Sequence, residues 1–203
     1  MPSELWAGID VGGRGKGFHV AIIDKQLRVG LLKHCPDKSE VLETFRKNSP
    51  RIVAVDSPKS LAPNGQHSRK CERDLSHSIC HIRFTPDKEE IKKQKRKGSA
   101  YYEWIENGLE LYTMLEPHKE LEKGNYKVIE CFPTAAWTRW GGRRGQKSRA
   151  AWSSHILGRK IDPQDFLRVR NQDERDAIAA AMVAYLYENG DTDRFGEIVV
   201  PKD

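Results

Sequence analysis

The hydrophobic and polar positions of the chain form short apolar runs, typical of buried strands, and longer amphipathic segments, typical of helices. The first three apolar runs are joined by short polar turns, as in a β-meander. The later runs are separated by helical segments. The predicted strands are residues 4–11, Phe18 to Asp24, Leu27 to Lys33, Arg51 to Asp56, Tyr126 to Phe132 and a short run from Glu197 to Val200.

Segments with the apolar spacing of helices lie between the later strands. Lys38 to Lys47 has apolar residues on one face, and Ser99 is placed to cap a helix that runs to about Glu116. The last predicted helix has a centre of small apolar residues, which suits close packing on a sheet. The remaining predicted helices are Cys71 to Ser78, Thr134 to Trp140, Ser148 to Leu157 and, last, Gln172 to Tyr187.

The segment after the fourth strand has a different character. Residues 57–98 are rich in Pro, Asn, Gly, His, Ser and Lys and have little periodicity. We interpret them as a long functional insertion with short helical pieces. The full order is β-β-β-α-β-insertion-α-β-α-α. This order indicates one α/β domain over residues 1–203, with a mixed sheet and helices on both of its faces.

Composition narrows the class of protein. Of the 203 residues, 37% are hydrophobic and 32% are charged, which fits a soluble protein with a modest core. No stretch approaches the roughly 20 apolar residues that a membrane-spanning helix needs, and we expect no secretory signal. The four cysteines have no disulfide-framework spacing, so we expect reduced thiols and a cytoplasmic location.

The formal charge of +6 favours a polyanionic partner, and its distribution is more informative than its sum. One dense basic run spans residues 92–97, and a second spans residues 139–149 with Trp137, Trp140 and Trp152 nearby. Basic residues mixed with aromatic ones can contact phosphates and stack on bases. We therefore expect contact with nucleic acid, although a solvated surface has the same pattern. The tryptophans could equally serve a homodimer interface, so the oligomeric state stays open.

Two aspartates end two of the apolar runs: Asp10 ends the first and Asp56 ends the fourth. A carboxylate at the end of a buried strand is costly to keep charged without compensation. If the two strands are adjacent and parallel, both acids lie at the sheet edge where open α/β sheets bind ligands. Close carboxylates repel each other, and a divalent cation is the simplest compensation. The pattern therefore predicts a metal-dependent enzyme that acts on phosphate.

Three further acids can complete this cluster. Asp173 and Asp176 share one face at the start of the last helix, and Glu130 lies in the apolar fifth strand. Oxygen ligands select Mg²⁺ or Mn²⁺, and two such ions about 3.5–4 Å apart can cleave a phosphodiester. Simpler explanations also exist, because Asp173 suits the positive end of a helix dipole and Glu130 can pair with an arginine.

Basic residues near these acids are candidates for holding phosphate. A guanidinium can bind phosphate through two hydrogen bonds, unless it belongs to a salt-bridged surface helix. The candidates for substrate binding are Lys16, Arg69, Arg73, Arg143 and Arg144. A zinc site in the insertion is a weaker alternative, since its spacing matches no common pattern. Its ligands would come from His67, Cys71, His77, Cys80 and His81.

Five short motifs occur in order along the chain: Gly8-Ile9-Asp10 before a glycine-rich turn, Val55-Asp56-Ser57-Pro58, Arg69 to Asp74, Ile129 to Pro133, and Asp173 to Ala177. Together they resemble the predicted nucleases of RNase H-like fold grouped as domain of unknown function 429. The resemblance covers nearly the whole chain. It implies a five-stranded sheet of order 3-2-1-4-5 with an antiparallel second strand. It also implies acids on the first strand, the fourth strand and the last helix, here Asp10, Asp56 and Asp176, with Glu130 and Asp173 as weaker members. We predict that Asp10, Asp56 and Asp176 are the metal ligands.

Three functions are open at this point. The leading one is hydrolysis of DNA or RNA that depends on Mg²⁺ or Mn²⁺, with two ions possible. The second is an ATP-using enzyme of the actin and sugar-kinase type, because Gly8 to Gly13 resembles the first phosphate loop of those proteins. The chain is too short for the two copies of the fold that they contain. The third is a non-catalytic nucleic-acid-binding module, which metal binding would distinguish from the first.

Overall fold

The computed structural model describes residues 4–116 and 126–203. These residues form a seven-stranded mixed sheet of order β3-β2-β1-β4-β5-β7-β6. The strands are β1 (Leu5–Val11), β2 (Phe18–Asp24), β3 (Val29–Cys35), β4 (Ile52–Asp56), β5 (Lys127–Cys131), β6 (Thr192–Phe195) and β7 (Ile198–Pro201). The second strand is antiparallel to both of its neighbours, whereas β1, β4 and β5 are parallel. The predicted order 3-2-1-4-5 is confirmed, and a β6–β7 hairpin extends it.

Helices cover both faces of the sheet, as the element order predicts. They are α1 (Lys38–Asn48), α2 (Lys70–Ser78), α3 (Lys88–Arg96), α4 (Glu103–Leu115), α5 (Pro133–Gly141), α6 (Arg149–Leu157), α7 (Pro163–Phe166) and α8 (Gln172–Glu188). One core layer joins α5, α6 and α8 to strand residues such as Trp6 and Ala54. The other joins α1 and α4 to residues such as Ile9 and Val55. Within the described residues, no helix is both long and apolar enough to cross a membrane.

The absence of a side chain at Gly8 lets α8 lie directly on β1. A Cβ atom at this position would be 2.1 Å from the carbonyl oxygen of Ala177 and 2.1 Å from the backbone nitrogen of Ala181. The alanines at the centre of α8 are fully buried against the sheet. This close approach sets the position of the first turn of α8 relative to the end of β1.

We expect Gly8→Ala to lower the free energy of unfolding by about 3 kcal/mol, because backbone atoms cannot yield as a flexible side chain can. Urea denaturation followed by circular dichroism measures this loss. Gly30→Ala is the matched control, since Gly30 also lies in a strand and its Cβ would be 3.8 Å from the nearest atom, Ile22 O. Equal stabilities of the two variants would contradict the close approach.

Several element boundaries differ from the sequence-based prediction, and each has a local cause. The third strand begins at Val29 and not at Leu27, because Leu27 has a positive φ of 59° and the Asp24 carboxylate accepts hydrogen bonds from the turn. Ser99 does not cap α4. Its hydroxyl accepts a hydrogen bond from Tyr101 N at 3.3 Å, and the helix begins at Glu103.

The insertion contains more regular structure than its composition indicates. The predicted helix near Cys71 is present as α2, which starts one residue earlier. Helix α3 is not predicted from the sequence, because Ile91 is its one buried residue. This helix is instead fixed at its N-terminus, where the Asp87 carboxylate accepts a hydrogen bond from Glu90 N at 2.9 Å.

Candidate functional site

The strand register places four polar residues in one row across the sheet. His34 pairs with His19, His19 with Asp10, and Asp10 with Asp56. Residues that pair directly across neighbouring strands project from the same face. The two predicted acids are therefore neighbours at the carboxyl ends of β1 and β4, on the face that α8 covers.

The Asp10 and Asp56 side chains are half-buried, and no residue in the described ranges donates a hydrogen bond to either carboxylate. Burial, followed by the charge of Asp56, raises the pKa of Asp10 well above its usual range. Burial and the charge of Asp176 do the same for the pKa of Asp56. Unpartnered oxygens of this kind suit a hard divalent cation.

Asp176 lies beside this pair but is held by three donors. Its Oδ1 accepts hydrogen bonds from Trp137 Nε1 at 2.8 Å and from Gln172 Nε2 at 2.9 Å. Its Oδ2 accepts one from Arg149 Nη2 at 2.8 Å. Burial raises the pKa of Asp176, and the Arg149 charge opposes that shift. The side chain is therefore fixed in orientation, and Arg149 brings a cation to the site that the sequence analysis included only in a basic run.

His19 also lies at the site, next to Asp10 and Asp173, and it is not predicted from the sequence. Ligand atoms of Asp10, His19 and Asp173 all lie within 4.8 Å of one another. The His19 Nδ1 is 4.0 Å from Asp173 Oδ2, and burial lowers the pKa of the imidazole. The available signal was a polar residue between Phe18 and Val20 in an otherwise apolar strand.

Glu130 faces the other side of the sheet. It pairs in register with Val55, which belongs to the core layer of α1 and α4. Its carboxylate accepts hydrogen bonds from Arg69 Nη1 at 2.8 Å, Arg69 Nη2 at 2.6 Å and Lys59 N at 2.8 Å. Arg69 is only 4% exposed and also donates to Glu72. The geometry thus favours an internal ion pair over the predicted roles of Glu130 in catalysis and Arg69 in phosphate binding.

A cleft of about 1150 Å³ opens at the Asp10–Asp56 pair. Most of the predicted site residues line it, namely Asp10, Asp56, Glu130, Asp173, Asp176, Lys16, Arg69, Arg143 and Arg144, together with Arg149. Arg73 is the exception, because its guanidinium turns to Ser68 O and Ser68 Oγ, at 2.7 and 2.9 Å. The cleft therefore combines an acidic group with several cations.

The two basic runs differ in their surroundings. Residues 92–97 belong to α3 and the turn after it, outside the cleft lining, and Lys92 and Lys95 pair with Glu89 and Glu106. Arg143 and Arg144 in the second run are exposed and line the cleft. The neighbouring tryptophans are less available than predicted. Trp137 and Trp152 are 0% and 4% exposed, so their rings belong to the core of this chain.

The zinc alternative has no geometric support in the described ranges. In residues 4–116 and 126–203, the one group of three or more potential metal ligands with mutually close donor atoms is Asp10, His19 and Asp173. The histidines and cysteines of the insertion form no such group. The sulfur atoms of Cys71 and Cys80 are instead in thiols whose pKa is raised by burial.

The sheet order and the acids at the ends of β1 and β4 define an α/β protein of RNase H-like fold. The chain belongs to the family described as "Protein of unknown function (DUF429)", whose model matches residues 8–199. Among solved structures, RuvC from Thermus thermophilus is similar, with a TM-score of 0.45 and 14% sequence identity over 92% of this chain and 96% of that one. No curated protein matches the chain.

Proposed function

We propose that this protein is a metal-dependent phosphodiester hydrolase that acts on nucleic acid. The proposal depends chiefly on the Asp10–Asp56 pair, two neighbouring carboxylates that receive no hydrogen bond from the described residues. Keeping two such charges together is unfavourable unless a cation lies between or beside them. The cleft is also lined by Lys16, Arg143 and Arg144, whose positive charges can bind a phosphate backbone.

Asp10, Asp56 and Asp176 would hold Mg²⁺ or Mn²⁺, and Asp173 would add a further carboxylate. When bound, such ions supply Lewis acidity and lower the pKa of a coordinated water. Asp176 contributes a fixed orientation, because Trp137, Gln172 and Arg149 hold its two oxygens. Arg149 also offsets part of the negative charge of the cluster.

The substrate would be held by Lys16, Arg143 and Arg144. Lys16 is exposed in the turn after β1, which is closed by the Gly12 N to Gly17 O hydrogen bond of 2.9 Å. This turn and the second basic run both line the cleft that contains the acids. Cations in these positions can bind successive phosphates while a scissile phosphate lies near the acids.

We expect Arg143→Ala/Arg144→Ala to weaken nucleic-acid binding several-fold and to reduce the slope of log affinity against log salt by about 2, one for each phosphate contact. Fluorescence anisotropy at several salt concentrations measures both. Arg96→Ala/Lys97→Ala is the matched control, because it removes an adjacent exposed pair from the run outside the cleft. If the two variants lose the same affinity for nucleic acid, the cleft is not the binding site.

The direct test of the proposed function is a cleavage assay on labelled DNA and RNA, each single-stranded and duplex, with Mg²⁺, Mn²⁺ or EDTA. Cleavage in the presence of metal and none in EDTA is the expected result. Binding without cleavage under every metal condition would favour a non-catalytic nucleic-acid-binding module. Tight ATP binding without nuclease activity would favour an ATP-using enzyme.

A further inference from the structure

A histidine lies directly beside the acids. In the antiparallel β1–β2 pair, His19 is opposite Asp10, so the two side chains project from the same face. The first turn of α8 brings Asp173 to the same point, where the Gly8 contact fixes the helix. Donor atoms from three separate elements therefore meet within 4.8 Å of one another.

The His19 imidazole has no hydrogen-bond partner that would explain its position. Its side chain is only 13% exposed, and the 4.0 Å from Nδ1 to Asp173 Oδ2 exceeds a hydrogen bond. Among the described residues, no group forms a hydrogen bond with either ring nitrogen. Neither ring nitrogen is among the fully buried side-chain atoms that lack a partner in the described residues, so both are accessible. An accessible imidazole between two carboxylates can bind a cation directly.

Its neighbour His34 provides an internal comparison. The two rings lie 5.0 Å apart on adjacent strands. The His34 Nε2 contacts the Lys16 carbonyl oxygen at 2.7 Å, so this histidine has a partner within the protein. His34 also lies one strand further from Asp10 than His19 does. Of these two histidines, His19 is therefore the one that combines proximity to the acids with two nitrogen atoms available for a ligand.

A nitrogen donor changes which ions a site prefers. Mg²⁺ takes oxygen ligands and keeps most of its water, whereas first-row transition ions also accept imidazole nitrogen. We propose that Asp10, His19 and Asp173 form a cation site in which the His19 imidazole is a direct ligand, and that this nitrogen makes the site prefer Mn²⁺ to Mg²⁺. The inference rests on the proposed function in that Asp10 belongs to both sites, and Asp10 and Asp173 line the cleft proposed to contain the hydrolytic ions.

Mn²⁺ alone is the probe, and binding is measured without nucleic acid. Electron paramagnetic resonance of free Mn²⁺ gives the affinity, and displacement of bound Mn²⁺ by Mg²⁺ gives the affinity for Mg²⁺. In His19→Ala we expect the Mn²⁺ affinity to fall at least about 10–100-fold, because removing a direct ligand should cost no less than removing a group that only hydrogen bonds to a ligand. The Mg²⁺ affinity should change by less than about threefold, since Mg²⁺ prefers oxygen ligands. His34→Ala should leave both affinities unchanged.

A spectroscopic readout separates direct ligation from an indirect effect on the fold. Electron spin echo modulation of bound Mn²⁺ should show coupling to a ¹⁴N nucleus in the wild type and in His34→Ala, and none in His19→Ala. Equal losses of Mn²⁺ and Mg²⁺ affinity in His19→Ala, or no nitrogen coupling in the wild type, would overturn the inference. If the protein cleaves nucleic acid but its Mn²⁺ binding does not depend on His19, the inference is wrong and the proposed function stands. If Mn²⁺ binding depends on His19 but no cleavage occurs, the proposed function is wrong and the inference stands.

Discussion

Replacing Asp10 with asparagine is expected to reduce metal-dependent cleavage about 1000-fold, which corresponds to about 4 kcal/mol of transition-state stabilisation. The amide keeps the shape of the side chain but removes its charge, so the pair with Asp56 loses half of its attraction for a cation. Folding should be unharmed, because replacing one of two half-buried carboxylates that repel each other removes an unfavourable interaction from the native state. Initial rates at saturating Mn²⁺, with unfolding monitored in parallel, measure both effects.

Asp191→Asn is the matched control for this experiment. It makes the same chemical change at an exposed position that is not part of the cleft lining. We expect its cleavage rate to equal that of the wild type. If Asp10→Asn also cleaves at the wild-type rate while remaining folded, Asp10 has no part in the mechanism and the proposed metal centre fails with it.

Replacing Arg69 with methionine is expected to lower the free energy of unfolding by about 3–5 kcal/mol, the usual result of removing one partner of a buried ion pair. Arg69 donates to both oxygens of Glu130 and to Glu72, two acids that are 3% and 1% exposed. Methionine fills a similar volume but leaves these charges without their cation. Urea denaturation followed by circular dichroism measures the change.

Two further variants make this result interpretable. Arg159→Met replaces an exposed arginine and should change stability by less than about 0.5 kcal/mol. Arg69→Met/Glu130→Met removes both partners of the buried pair and should recover part of the loss, because an apolar pair can replace a buried ionic one. If Arg69→Met lowers the free energy of unfolding by less than about 1 kcal/mol, the buried ion pair of Arg69 with Glu130 and Glu72 does not stabilise the fold as proposed.

The sequence was informative about the sheet because its strands are apolar and end at clear polar or proline signals. The strand bounds of β2 agree with the prediction at both ends. The additional strand β6 could not be found this way, because Thr-Asp-Arg-Phe has no apolar alternation and pairs only through its backbone hairpin with β7. The start of α4 was wrong for a related reason, since Ser99 forms a local turn instead of a cap.

In the candidate site, too, some residues can be predicted from the sequence and others cannot. Acids at strand ends can be found from a single sequence, because each follows an apolar run. Pairings over long separations cannot, and Arg69 with Glu130 spans 61 residues. Likewise, the orientation of Glu130 depends on its register with Val55, and the position of His19 depends on its register with Asp10. Side-chain facing is decided by which strands become neighbours, and that information lies outside any short segment.

The buried Arg69 network has a consequence for ligand binding. One wall of the cleft is formed by residues between Arg69 and Thr85. Glu72 accepts hydrogen bonds from Thr85 N, and Arg69 donates to Glu130 in β5, so both ends of this wall are bonded to one network. This wall is in place before any ligand arrives, and a ligand need not order it. Association therefore avoids the entropic penalty that a folding loop imposes, and little backbone movement between the free and occupied protein is expected.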